Sequence, residues 1–307
     1  MLEPPSAKPQ STRLAVLIPF GIVTLIWGST WLVIRDQLGV VPPSWSVTYR
    51  FIVAGVAMAI YAGVRRDSWR FDARGLGFAA AIGVAQFCLN FNLVYRAEQH
   101  ITSGLVAVVF ALLLVPNALL ARIFLGQRMG QQLVVGSAVA MAGIVLLFVH
   151  EARVDPNGPG QAIVGVAFTL AAILSASTAN VLQATPTAAR YPMASTLALA
   201  MLIGAALDAA FAFATVGPPT IELRPVYLAG ILYLGLAASA LAFPLYYNVL
   251  RTIGPAKAAY SSVIVPVIAM LLSTGFEGYR WSGLAIAGAA LAAAGLVIAL
   301  RARRPDR

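Results

Sequence analysis

The stretch GQRMGQQLVVGSAVAMAGIVLL, residues 126–147, returns 152 positions later as GYRWSGLAIAGAALAAAGLVIA, residues 278–299. In each, a G-x-R opens an apolar run, and glycines follow 8 and 15 residues after the arginine: Gly136 and Gly143 after Arg128, Gly288 and Gly295 after Arg280. Matching alanines are cheap in so apolar a composition, whereas three glycines and an arginine in one frame are not. The echo makes the chain two copies of one unit.

The frame extends outward from that stretch. The same displacement lays Gly83, Phe91, Leu93, Tyr95 and Ile101 on Gly235, Phe243, Leu245, Tyr247 and Ile253. A displacement of 149 pairs Pro43, Ser46 and Gly55 with Pro192, Ser195 and Gly204, so the copies meet near Asp155 to Gly160.

Of the 307 residues, 60% are hydrophobic and 10% charged, where soluble domains run at roughly 45–50% and about 25%. This is the composition of a membrane protein. Backbone groups in hydrocarbon must be paired within their own segment, so each apolar run of about 20 residues is a candidate helix. The chain offers ten, at roughly 14–37, 43–64, 73–95, 101–124, 130–149, 161–185, 192–214, 225–250, 255–276 and 281–301. Short punctuated gaps such as VPPS, RRDSWRFDAR and DPNGPG join them and leave no room for a soluble domain. The first apolar run is about 24 residues long, beyond the ~7–15 of a cleaved signal core, and reads as a retained span. A single cysteine, Cys88, permits no intramolecular disulfide and no cysteine-rich metal site.

The net charge of +10 does not imply nucleic acid, because the basic residues fall in the gaps between apolar runs rather than on one basic face. Their distribution sets orientation instead. With the N-terminus in the cytoplasm, 15 of the 21 Lys and Arg lie on the inner side and 7 of the 11 Asp and Glu on the outer side. Both termini are therefore expected in the cytoplasm of a bacterial-type inner membrane. The expected organisation is a tail at 1–13, a first repeat at 14–154, a second at 155–301 and a basic tail at 302–307. Five spans per repeat is an odd number, so the second copy runs through the membrane in the opposite sense. Inverted repeats build carriers whose two halves exchange conformations around a midplane site.

WGSTWLVIRDQLGVVPPSWSVTYRFIVAG, from residue 27, together with the two opening stretches, resembles the EamA family of the drug/metabolite transporter superfamily. The resemblance runs from about Leu14 to Leu300. It implies an all-α, ten-helix carrier with a central cavity bounded mainly by helices 1, 3, 4, 6, 8 and 9, with helices 5 and 10 peripheral. Amino-acid exporters of the YddG type are similar in architecture. The family pattern carries a glutamate before helices 5 and 10, where this chain has Gln127 and Tyr279.

Candidate cavity groups follow from polar and aromatic side chains at membrane depth. In the first helix Thr24, Trp27, Trp31 and Ile34 share a face, with Thr30 beside them. In the third, Gln86 and Asn90 stand one turn apart, and amides are costly in hydrocarbon unless they face a partner or a wet cavity. The sixth offers Ser175, Thr178 and Asn180, the eighth Tyr233 and Tyr247, and the start of the ninth Tyr260 and Ser261. Pro116, Pro244 and Pro266 remove backbone donors and mark positions for kinks or gating. Arg50 and Asp208 lie within snorkelling reach of the outer helix ends, and Asp208 is the candidate for proton coupling.

The expected function is a secondary transporter acting by alternating access, an exporter of amino acids that works as a monomer in the bilayer, with no cofactor, metal or nucleic acid. A multidrug or organic-cation antiporter of the same superfamily is the alternative. Small members of that kind use a glutamate in the first helix, and no acid occurs here between Arg13 and Asp36. A non-transport structural or sensing membrane protein is a further alternative. Enzyme activity is not expected, since the two histidines, His100 and His150, sit at outer helix ends and no nucleophile, metal or phosphate motif accompanies them.

Overall fold

A computed structural model describes residues 10–126, 130–154, 159–253 and 261–300. The regular structure among them is helical throughout, with no strand. The helices are α1 (Gln10–Asp36), α2 (Pro43–Val64), α3 (Ala73–Ala97), α4 (Ser103–Leu125), α5 (Gln131–Val154), α6 (Pro159–Gln183), α7 (Met193–Val216), α8 (residues 225–253), α9 (Ser261–Phe276) and α10 (Gly283–Leu300). Against the expectation of ten spans, seven among the described residues, α1 to α4 and α6 to α8, are long and apolar enough to cross a membrane. Shorter apolar stretches at Val134–His150, Ile264–Phe276 and Gly283–Ala299 lie in α5, α9 and α10.

Local chemistry sets the helix ends. Pro43 and Pro225 occupy first turns, where a missing N–H costs nothing. Asp72 caps α3, its Oδ1 accepting from the Gly75 N–H at 2.8 Å and from the Tyr191 hydroxyl at 2.6 Å, which ties the start of α3 to the turn before α7. The glycine of each G-x-R motif does one job twice. Gly126 ends α4 at φ +66° and Gly278 follows α9 at φ +70°, the left-handed region that a side chain makes costly.

The repeated glycines downstream are where the two halves touch. A Cβ on Gly143 would lie 2.6 Å from the Gly288 carbonyl, and one on Gly288 2.8 Å from the Gly143 carbonyl. Likewise Gly136 would meet the Gly295 carbonyl at 2.5 Å and Gly295 the Gly136 carbonyl at 2.6 Å. These pairings run in opposite directions along α5 and α10, so the helices are antiparallel, backbone against backbone. Close approach through small residues is how helices associate where lipid offers no hydrophobic drive. A second seam joins α2, α3 and α7. Gly55 abuts Leu202, Gly83 the Ala200 carbonyl at 2.6 Å and Gly204 the Phe87 Cβ at 2.7 Å, so Gly55 and Gly204, partners in the repeat, are both contact points.

Large apolar side chains stand out around the periphery, Leu25 at 65%, Phe124 at 70% and Leu271 at 68% exposure. In water such a belt would drive aggregation; in a bilayer it is the solvated surface.

Gly143→Ala and Gly295→Ala should each destabilise the protein in detergent by about 1–3 kcal/mol through overpacking, although alanine is the better helix former by roughly 1 kcal/mol. Gly77→Ala, where no heavy atom lies within 4 Å, is the control and should be neutral or stabilising. Size-exclusion thermal melts report this, and a Gly143→Ala protein as stable as the parent would refute the seam.

Candidate functional site

A cavity of about 120 Å³ lies between the halves, bounded by side chains of α1, α2, α3, α4, α6, α8 and α9. It has room for several waters or one small solute. Rings dominate its wall: Trp27, Trp31, Phe91, Phe110, Phe243 and Tyr246. Trp27 packs at 5.4 Å from Phe243 and 4.9 Å from Tyr246, and Trp31 at 5.4 Å from Phe110. The polar lining is Thr30, Gln86, Asn117, Asn180 and Arg50, with the Asn180 Nδ2 3.4 Å from the Asn117 Oδ1.

Two stretches of wide π-type turns shape this wall, Gly83–Asn90 within α3 and Tyr233–Leu241 within α8. They occupy equivalent positions under the 152-residue displacement. Wide turns leave carbonyls without their usual partners, and side chains from facing helices take them up. The Trp27 indole donates to the Ala238 carbonyl at 3.1 Å, and the Ser175 hydroxyl to the Ala85 carbonyl at 2.7 Å. Thus α1 is tied to α8, and α6 to α3, by matching devices. Pro244 follows the second π segment and cannot donate to the turn before it. In α3 the equivalent position is Asn92, whose amide donates to the Cys88 carbonyl at 3.1 Å.

The structure brings Trp27, Thr30, Trp31, Gln86 and Asn180 to the cavity, with Pro266 of α9 beside them. Other candidates lie elsewhere. Asn90 is buried off the wall, because the π turns rotate it relative to Gln86 compared with a regular helix. Ser175 is spent on the Ala85 carbonyl, and Thr178 is exposed and bonded to its own helix at Leu174. The Tyr233 hydroxyl meets Ser29 at 2.6 Å, and Tyr247 is fully buried behind Phe243 and Tyr246. Tyr260 and Gln127 fall outside the described residues; Ser261 begins α9. Tyr279 is buried edge-on against His150 and Trp281. Pro116 opens the part of α4 that follows a tight 3-10 turn at Ala111–Leu113. Asp208 is fully buried and accepts from the Asn92 amide between α3 and α7, apart from the cavity wall.

Sequence reasoning missed Asn117, Phe91, Phe110, Phe243, Tyr246 and, above all, Arg50 as wall residues. Phe91 and Phe243 are partners in the repeat, which was the available signal. Its distance from a helix end puts Arg50 within snorkelling reach, yet it is 1% exposed.

The end of the bundle expected to face outward is closed by polar contacts. The Tyr95 hydroxyl donates to Gln37 Oε1 at 2.8 Å, Arg35 Nη1 donates to the Glu98 carbonyl, and Arg35 Nε lies 3.9 Å from Glu277 Oε1. Glu98, one residue beyond the apolar span of α3, is fully buried. Burial, reinforced by the nearby Glu277 carboxylate, pushes its pKa well above the usual carboxylate range, against the opposing pull of Arg35 and Arg50. Two of the helices that flank the cavity, α4 and α9, touch here: a Cβ on Gly104 would meet Met270 at 2.7 Å and Ser273 at 2.9 Å. Further along, Leu113, Leu114 and Asn117 of α4 and Val265 and Pro266 of α9 line the cavity.

Comparison with known proteins gives one consistent picture. The profile of the EamA-like transporter family matches residues 16–149 and 163–301. The chain is 29% identical over 284 residues to a probable terminal-alkyne amino-acid exporter of Streptantibioticus cattleyicolor, covering 90% of each chain. It is 29% identical over 255 residues to the inner membrane transporter YedA of Escherichia coli, covering 83% of this chain and 80% of that one. A solved crystal structure matches 97% of this chain and 100% of its own at a TM-score of 0.66 and 23% identity, a likeness of fold.

The raised pKa of Glu98 means that the folded state favours the protonated acid, so its stabilising contribution is complete below the ordinary carboxylate pKa and is lost as pH rises through the folded value. Glu98→Gln should therefore raise the melting temperature at about pH 8 and change it little near about pH 4.5. Melts across that range test it; an equal shift at both ends would show that Glu98 does not titrate this way.

Proposed function

Because the chain belongs to the EamA-like transporter family, we propose that it is an exporter of amino acids, working by alternating access between two inverted five-helix repeats. Its location is a bacterial inner membrane, with both termini in the cytoplasm, and the monomer is the working unit. The observation that carries this reading is the cavity wall. Six rings, three amides and a threonine form a surface for an apolar side chain and the polar ends of a zwitterion, and no carboxylate lines it among the described residues. That absence counts against the organic-cation alternative, which needs an acid at the site. A relative of this chain is named for amino-acid export.

The close contact of α4 and α9 at the end expected to face outward supports an inward-facing state. In an inverted repeat the opposite state follows when each half takes the arrangement of the other. Asp208 is kept as the coupling carboxylate. It is buried against Asn92, two residues beyond the first π segment, so its charge acts on the shape of α3 rather than on the solute directly.

Purified protein in proteoliposomes should exchange labelled neutral amino acids, aromatic ones included, and unlabelled amino acids should compete. Competition by organic cations and by no amino acid would establish the antiporter reading instead. Imposing a pH gradient should stimulate uptake in the parent and leave Asp208→Asn indifferent to it; equal stimulation of both would remove Asp208 from coupling.

A further inference from the structure

Arg50 holds a position that the family assignment does not explain. Its guanidinium is buried to within 1% of full enclosure and lines the cavity. Nε donates to the Ser239 hydroxyl at 3.0 Å, and that hydroxyl donates in turn to the Leu234 carbonyl at 2.7 Å within the second π segment. The Phe91 ring lies 4.1 Å from the guanidinium carbon and Phe51 5.3 Å, so the rings support the plane while its N–H edge supplies the hydrogen bonds. Nη1 is buried with no hydrogen-bond partner among the described residues, the Tyr95 hydroxyl bonds to another part of the group, and the Glu98 carboxylate acts on it only from beyond ion-pair distance.

A cation removed from water with no anion in contact is among the most unfavourable arrangements a membrane interior can hold. A structural pin from α2 to α3 and α8 would need only the bonds to Tyr95 and Ser239, and a neutral donor would supply them at lower cost. The same wall holds a second orphan: the Trp31 indole N–H is buried and unpartnered. Among the lining residues the buried groups lacking partners are these two donors, with no orphaned acceptor beside them. The two orphaned donors thus lack an acceptor, and the cation among them an anionic one.

We infer that Arg50 is the anchor for a carboxylate on the transported solute, with the Trp31 indole as the second donor. The inference rests on the transporter reading and narrows it. A free carboxylate is the required feature, the ring-lined wall takes the remainder, and an ammonium group is optional, held against aromatic faces and amide oxygens. Amino acids fit, as do aromatic and branched monocarboxylates that lack the amine. Amines, esters and amides of the same skeleton leave Arg50 and Trp31 unpaired and are rejected, since buried polar groups left without partners discriminate strongly.

The test uses the full chain in detergent, with L-phenylalanine, its methyl ester, phenethylamine and phenylacetate as probes, read by tryptophan fluorescence and thermal shift. The unaltered protein should bind phenylalanine and phenylacetate at least about tenfold more tightly than the ester or the amine. Arg50→Gln should erase that preference, Arg50→Lys should keep part of it, and Trp31→Phe should weaken the acids without affecting the ester. Should Arg50→Gln fail to fold, the acid-to-ester ratio of the unaltered protein and the Trp31→Phe variant still decide. Equal binding of acid and ester, a preference that survives Arg50→Gln, or no binding of any carboxylate overturns the inference. Phenylacetate binding without transport of any amino acid upholds Arg50 and sinks the amino-acid reading; amino-acid exchange with no acid-to-ester preference does the reverse.

Discussion

The contact of α5 with α10, glycine backbone on glycine backbone, is the constraint from which the architecture follows. Within a bilayer, burying apolar side chains gains nothing over leaving them in lipid, so helices that must stay together need close van der Waals packing. Gly136, Gly143, Gly288 and Gly295 provide it at one edge, and Gly55, Gly83 and Gly204 provide a second set of close contacts through α2, α3 and α7. With the halves fastened there, the middle need not be tightly packed. The cavity occupies that middle, where side chains rather than backbones face each other.

Around the cavity the polar groups divide into those that hold helices and those that face the interior space. Trp27 does both, its ring forming wall and its N–H holding α8 through the Ala238 carbonyl. Ser175 holds and does not face; Gln86 faces. Arg50 resembles Trp27, since one nitrogen fixes it to Ser239 while another is left unpaired. The closed end is different in kind, a set of polar and charged contacts among Arg35, Gln37, Tyr95, Glu98 and Glu277.

Much of this was legible in the sequence because it depends on composition and period. The repeated glycines announced two copies and also marked where the copies meet, since a position that tolerates no Cβ is written as glycine in both. Trp27, Trp31, Gln86 and Asn180 stood out because such groups are expensive at membrane depth. What stayed hidden depends on partners. A hydroxyl such as that of Ser175 or Tyr233 reads the same whether it faces a cavity or a carbonyl on another helix. Arg50 lies two turns from a helix end, within reach of water on an isolated helix, and the packing of α3 and α8 across it closes that route. Asn90 was misplaced because facing patterns assume a constant turn, which α3 does not keep.

That irregular turn gives α3 an unusual relation to its own length. A π segment holds more chain than the α-helix it interrupts, so the helix carries a surplus against its neighbours. Deleting one residue from a membrane helix normally ruins every contact beyond the deletion. Within Gly83–Asn90 a single deletion would instead restore regular winding, and the damage would be confined to the π segment itself, with Phe91, the ring beneath Arg50, and the residues after it keeping their register. The surplus is thus a local reserve of chain in α3, and α8 carries its counterpart at the same place in the second copy.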